Sequence, residues 1–207
     1  MRLLDYLRAP NPRRVRWVMA EKGVTDIEIV QVDLVGGEHR SAEYRSRVGL
    51  PHVPALELDD GTVISESLAI CRYLESVYPE PNLFGRDPRE TAVIEMWARR
   101  AEHYVGNPLM LYNRYSHPAL SQLDPTKEPE VADYNRRTAE RMLKSLDRRL
   151  GESEWLAGER FTIADIAAVT GMDFARMMKW RPDAALANVN RWYEACRARP
   201  AAEESVR

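Results

Sequence analysis

Two short runs of strand-forming residues, Val53-Pro54-Ala55-Leu56-Glu57-Leu58 and Val63-Ile64-Ser65, constrain this chain more than any other stretch. Asp60-Gly61 between them is a dipeptide that closes tight hairpins. Pro54 has no N–H to give to a ladder, so it belongs at the beginning or edge of its strand, and an X-Pro bond there is a candidate for the cis form. Ser65-Glu66-Ser67 precedes the apolar Leu68-Ala69-Ile70 and reads as a helix N-terminus. Free backbone N–H groups and the positive end of the helix dipole favour a carboxylate at such a place. Together these features describe a pocket able to hold a small peptide by its backbone and its carboxylate.

The residues before the hairpin alternate between strand and helix. Arg2–Tyr6 is a short apolar strand. Asn11-Pro12 opens a helix, with Asn11 as N-cap and Pro12 at the first helical position. Val15, Val18 and Met19 mark its apolar face and Gly23 its end. Ile27–Val32 alternates as a strand does, Gly36-Gly37 breaks it, and Ser41–Val48 is weakly helical or irregular. A helix from Glu66 to Tyr78 completes a β-α-β-(α)-β-β-α order. The first two strands should be parallel through a helical crossover and the last two antiparallel.

Tyr78-Pro79-Glu80-Pro81-Asn82 stops that helix. Domain boundaries follow at residues 1–80, a linker at 81–88, and a helical domain at 89–207. The first of its helices runs from Arg89 to Tyr115, disturbed near Gly106-Asn107-Pro108. The second spans Pro129–Leu150, with Ala139, Met142, Leu143, Leu146 and Leu150 on one face. A third begins near Ile163 and a fourth near Asp183, with Leu186, Val189, Trp192, Tyr193 and Cys196 aligned. Thr162 and Asp165 have capping-box spacing, and Phe161 and Ile166 hold the staple positions, so this motif is read as structural.

Composition narrows the function classes. Of the 207 residues 44% are hydrophobic and 30% charged, enough to build real cores. A net charge of −2 with mixed signs offers no basic face to nucleic acid. No apolar run approaches a membrane span. Cys71 and Cys196 lie far apart in helical patterns and read as reduced core thiols of a cytoplasmic protein. Without a CxxC pair or a ligand-spaced His/Cys cluster, no metal site is expected.

The order of these motifs resembles the cytosolic glutathione transferases over essentially the whole chain. Ala9-Pro10-Asn11-Pro12-Arg13-Arg14-Val15-Arg16, then Ala20-Glu21-Lys22-Gly23, is similar to the family's first loop and helix. Gly36–Ser41 resembles its glutathione-side loop, Pro81-Asn82-Leu83-Phe84 its exit to the linker, and Phe161–Asp165 its capping motif. The resemblance implies an N-terminal thioredoxin-like domain (β-α-β-α-β-β-α), an all-helical C-terminal domain, glutathione as co-substrate, and a homodimer. It implies that Val53, beside a cis-Pro54, pairs its backbone with the cysteinyl unit of glutathione. Glu66 and Ser67 would hold the γ-glutamyl end. His39 and His52 stand where basic or polar groups meet the glycyl carboxylate, and Arg40 is an alternative bidentate partner.

The chemistry needs a thiolate, and a free cysteine thiol with a pKa of about 8.5 is mostly protonated at neutral pH. A donor aimed at the sulfur corrects this. Many relatives place a serine, others a cysteine, where this chain has Ala9, which cannot donate. Asn11 and Tyr6 remain. The Ala9-Pro10-Asn11 stretch resembles the Thr-Pro-Asn loop of the bacterial Nu class, where the asparagine contributes to the thiol site. Tyr6 ends the first strand near where tyrosine-type transferases place their hydroxyl. Backbone N–H groups of the loop are a third option. The second substrate should enter between the domains, with Tyr104, Met110, Tyr112 and Tyr115 as candidate walls. Arg8, Arg100 or Arg114 could steer an anionic electrophile. The leading expectation is a transferase that adds the glutathione thiol to small electrophiles. The alternatives are a glutathione-dependent disulfide reductase or peroxidase, a dehalogenase or isomerase, and a non-catalytic binding module on the same fold. A maleylacetoacetate isomerase would carry a Ser-Ser-Cys loop, which is absent.

Overall fold

The strands β1 (Arg2–Asp5), β2 (Glu28–Gln31), β3 (Ala55–Glu57) and β4 (Val63–Ser65) form one sheet in the order β2-β1-β3-β4 in the computed structural model, which describes residues 1–207. β1 is parallel to β2, antiparallel to β3, and β3 is antiparallel to β4. The parallel pair is joined by helix α1 (Pro10–Glu21), the antiparallel pair by the Asp60-Gly61 turn. Leu3 lies opposite Leu56 and Leu4 opposite Ala55. Because successive side chains alternate faces, these pairs serve two different layers. Leu4 and Ala55 pack with Val32 and Tyr44 against α2 (Ala42–Val48). Helices α1 and α3 (Ser67–Val77) pack on each other, and Val15 and Val18 on the first and Ile70 and Leu74 on the second are all fully buried. Burying each such side chain contributes about 1.5–3 kcal/mol.

β2 is shorter and more exposed than its alternation implies. Its central Ile29 is 45% exposed, and the buried Ile27 and Val32 flank the strand rather than belong to it. As an edge strand it needs only one partner.

The chain divides into two compact units, residues 1–81 with 200–207, and residues 82–199. The last residues, grouped with the helical domain on sequence grounds, form a short helix α9 (Pro200–Glu204) that packs on α1. Small Ala201 and Ala202 allow the close approach, and both are buried.

The second unit contains α4 (Pro88–Ala101), α5 (Asn107–Ser116), α6 (Pro129–Gly151), α7 (Ile163–Ala175) and α8 (Ala187–Arg197). Between α4 and α5 the helix widens into a π-helical stretch, Glu102–Gly106. The disturbance expected at Gly106–Pro108 thus falls one turn earlier, because a proline crowds and fails to donate to the turn preceding it. The helix expected at Asp183 starts four residues later. Asp183 instead forms a turn, its side chain accepting from Ala185 N–H at 2.9 Å and its carbonyl from Leu186 N–H at 3.0 Å. α7 is buried along nearly its whole length. Its capping box is complete: Asp165 Oδ2 accepts from Thr162 N–H at 2.9 Å, and Oδ1 accepts from Leu156 N–H at 3.0 Å and Trp192 Nε1 at 2.8 Å.

Candidate functional site

Extending the sheet register brings three segments to one end of the first unit. With Leu4 opposite Ala55 and Ala55 opposite Ser65, the residues just beyond are Tyr6, Val53 and Ser67. The Tyr6–Asn11 loop, the entry to β3 and the start of α3 therefore share one edge.

Val53 is half-buried and precedes a cis bond to the buried Pro54. Its own N–H and C=O lie outside the ladder and make no hydrogen bond within the protein. The preceding His52 carbonyl is held by the Tyr44 hydroxyl, which donates to it at 2.7 Å. Burial pushes the Tyr44 phenol up to about 12, so it stays a donor at any ordinary pH.

Glu66 sits at φ 69°, ψ 114°, a backbone conformation that side chains rarely adopt. Strain of this kind clusters at ligand sites. The turn it makes delivers α3 at Ser67 without any side-chain cap, so the first N–H groups of the helix remain available. Glu66 is exposed, whereas Ser67 is 5% exposed. Arg14 Nη1, itself buried, donates to Ser67 Oγ at 2.9 Å. An oxygen that accepts from arginine keeps its own hydrogen to give to a ligand.

Asn11 departs from its expected role. α1 begins at Pro10 with Ala9 as N-cap, and no side chain caps it. Pro10, not Pro12, takes the first helical position, since its fixed φ suits it and its missing N–H costs nothing there. Asn11 falls inside the first turn, and its Oδ1 is buried with no partner. The two ends of an amide exchange by a half-turn, so this end can present a donor or an acceptor. Tyr6 follows β1, half-buried, and its carbonyl accepts from Ala9 N–H at 2.8 Å.

The two histidines part company. His52 is exposed. His39, in a single 3₁₀ turn (Glu38–Arg40), is only 7% exposed. Arg40 Nε donates to His39 Nε2 at 3.2 Å, and Nδ1 is buried without a partner. Burial first, then the cation of Arg40, lowers the His39 pKa and so favours the neutral ring. Arg40 is the exposed member of the pair.

In the second unit, Tyr112 and Tyr115 are half-buried one turn apart on α5, with Met110 on the same helix. Tyr104 is 52% exposed in the π-helical stretch and lines a different place, a groove of about 260 Å³ with Trp97, Arg100, Met142, Ser145 and Leu146. Arg100 lies over the Trp97 ring at 4.8 Å. Arg114 is paired with Asp124 at 2.7 Å, which holds the Asp124 carboxyl down at about 2, and Arg8 is exposed. Tyr112 and Tyr115 do not line that groove. No group of His, Cys, Asp and Glu is arranged to hold a metal, both cysteines are buried and neither is in a disulfide, and no helix is long and apolar enough to cross a membrane.

Sequence reasoning missed Arg14 and Tyr44. Both lie in runs whose chemistry shows only when a partner distant in sequence is known. The pattern Arg13-Arg14-Val15-Arg16 held one clue, since three cations on a largely apolar helix need buried partners.

Comparison with known proteins gives a consistent picture. Residues 9–77 match the family model described as glutathione S-transferase, N-terminal domain, and residues 102–200 match glutathione S-transferase, C-terminal domain. Glutathione S-transferase 2 of Saccharomyces cerevisiae is 32% identical over 99% of this chain and 88% of its own length. A maleylacetoacetate isomerase of Pseudomonas aeruginosa is 31% identical over 82% of this chain and 78% of its own. The crystal structure of a glutathione S-transferase domain-containing protein from Marinobacter aquaeolei superimposes with a TM-score of 0.93. It is 39% identical and covers 98% of this chain and all of the other.

Proposed function

This chain belongs to the glutathione S-transferase family, and from that premise we propose that it binds glutathione at the sheet end and activates its thiol for attack on small electrophiles. The observation that carries the proposal is the free backbone of Val53 beside the uncapped start of α3. An unpaired N–H and C=O at a strand entry accept an extended peptide as an added strand does. The open helix N-terminus with the Ser67 hydroxyl suits an α-carboxylate, and exposed Glu66 suits the ammonium beside it. At the other end Arg40 and His52 are assigned the glycyl carboxylate. His39 acts there by its neutral ring, through Arg40, rather than as a cation.

The thiol falls to the Tyr6–Asn11 loop. Ala9 offers no side-chain donor, whereas Asn11, turned by a half-turn so that its amide nitrogen takes the buried, unpartnered end, would donate to the sulfur. Tyr6 and the backbone N–H groups of the first turn of α1 are the remaining donors. On binding, the glutathione thiol gives its proton to solvent, and the thiolate so held forms a C–S bond to an electrophilic carbon while that carbon's leaving group departs with its bonding pair, or while the pair of a conjugated double bond moves on and takes a proton from solvent. Tyr112 and Tyr115 are assigned to the electrophile, and Tyr104 to a separate role. The reading carries a homodimer with it, which light scattering would check.

Calorimetry of glutathione binding across pH, with proton release recorded, tests the proposal. Binding with release of a proton near neutral pH is expected. Glu66→Ala should weaken binding about tenfold or more, while Asn11→Ala should lower kcat more than affinity. Binding without proton release would point to a carrier, and no binding at all would leave the fold as an interaction module.

A further inference from the structure

The Leu7 main chain is held on both sides by side chains. Its N–H donates to Gln31 Oε1 at 2.9 Å, and its C=O accepts from Arg16 Nη2 at 2.8 Å. Both side chains then converge on one fully buried carboxylate. Arg16 Nη1 reaches the two oxygens of Asp5 at 2.5 and 2.6 Å, and Gln31 Nε2 donates to Asp5 Oδ2 at 2.9 Å. On its remaining edge, Arg16 Nε donates to the Ser205 carbonyl at 2.9 Å. Arg13 Nε donates to Ser205 Oγ at 3.1 Å.

None of this is needed to make the turn. Ala9 N–H already closes it on the Tyr6 carbonyl at 2.8 Å. Nor does burial hold the segment, since the Leu7 side chain is 41% exposed and Arg8 is exposed. A buried ion pair is a costly way to fix a loop unless the position of that loop matters.

We propose that Asp5, Arg16 and Gln31 are positioning residues that hold the Leu7 main chain, and through it the Tyr6–Asn11 loop, in register with the bound thiol. The C-terminal tail takes part by placing its Ser205 carbonyl on Arg16. This rests on the reading of the loop as the thiol site. The clamp touches neither Val53, Glu66 nor Ser67, so it acts on the thiol end of the ligand alone. A donor displaced by 1 Å can cost about 100-fold in rate, whereas the rest of the peptide keeps its contacts.

Gln31→Leu is the variant of choice, because Gln31 is exposed and its loss leaves the core intact. Three measurements are made on the full chain. Hydrogen exchange of the ligand-free protein should show the Leu7 and Ala9 amides exchanging about tenfold faster, with α1 unchanged. Kinetics should show kcat falling about tenfold and KM for glutathione moving less than about threefold. The thiolate absorbance of bound glutathione should titrate at higher pH than in the parent. Arg16→Lys, which keeps the charge on Asp5 but cannot reach Leu7 and Ser205 as well, should shift all three further in the same direction. Unchanged exchange at Leu7 and Ala9 in Gln31→Leu overturns the clamp. Faster exchange with parental kcat and thiol titration overturns its role in activation. A parent chain that binds no glutathione overturns the functional reading instead, and the exchange data then decide the clamp by themselves.

Discussion

Asp165 shows how much one side chain can carry without touching a substrate. Fully buried, it accepts hydrogen bonds from two backbone N–H groups and from Trp192 Nε1, which burial opposes by pushing its pKa up. Asp165→Ala would orphan those donors, and each buried unsatisfied group costs about 1–3 kcal/mol. Denaturant melts should therefore show a loss of about 3 kcal/mol or more, with unchanged specific activity in the protein that remains folded. His39 gives a prediction of opposite character. Its folded pKa is lowered, first by burial and then by Arg40, His52 and Arg45, so the folded chain binds fewer protons than the unfolded one just below the ordinary histidine pKa of about 6.5. Stability then rises with pH through that window and is lost on acidification. The melting temperature of the parent should fall more steeply below about pH 6.5 than that of His39→Gln, whose side chain does not titrate there. Parallel pH profiles for the two proteins would assign the acid sensitivity elsewhere.

At the scale of elements, the π-helical stretch and the crossing of two glycines belong together. A Cβ on Gly106 would stand 2.5 Å from the Ala167 carbonyl oxygen, and one on Gly171 the same distance from Gly106 Cα. These helices touch backbone to backbone, which only glycine permits. Gly171→Ala should force the helices apart and cost about 1–3 kcal/mol, as overpacking does elsewhere. The element boundaries show where local reading stops. Thr162/Asp165 was legible because both partners of its capping box lie within four residues. Asn11 was misread as a cap because an equally suitable proline stood two residues earlier, at Pro10, and only the path of the chain out of β1 selects between them. The Asp183 turn was missed for a related reason. An aspartate serves helix starts and isolated turns equally well, and the packing of the residues after it selects between the two.

At the scale of the whole molecule, residues 200–207 matter more than their position in the sequence suggests. They complete the first unit, bury Ala201 and Ala202 on α1, and supply the Ser205 carbonyl to Arg16. Truncation after Arg199 should destabilise that unit by about 2 kcal/mol or more, since a hydrogen bond to a charged group is lost along with apolar burial. Hydrogen exchange should show the effect in α1 and leave the centre of α7 protected; equal loss in both would mean the tail acts on the chain as a whole.

The sequence by itself determined the elements and their order along the chain. The period-2 and period-3.6 patterns, the Asp60-Gly61 turn and the prolines act over a few residues, so a β-α-β-α-β-β-α unit and a helical unit could be written down with α2, α3, α6 and α7 near their observed places. It also singled out the Val53–Ser67 segment, because strand entry and helix start are local events. What only the tertiary structure decided are the contacts between segments far apart in the chain. Arg14 on Ser67 spans 53 residues, Tyr78 Oη on Asp26 spans 52, and Arg16 on Ser205 spans 189. No short-range pattern encodes such pairs. A buried cation satisfies its charge with whichever acceptor the fold delivers, and that acceptor is known only when the chain has closed on itself.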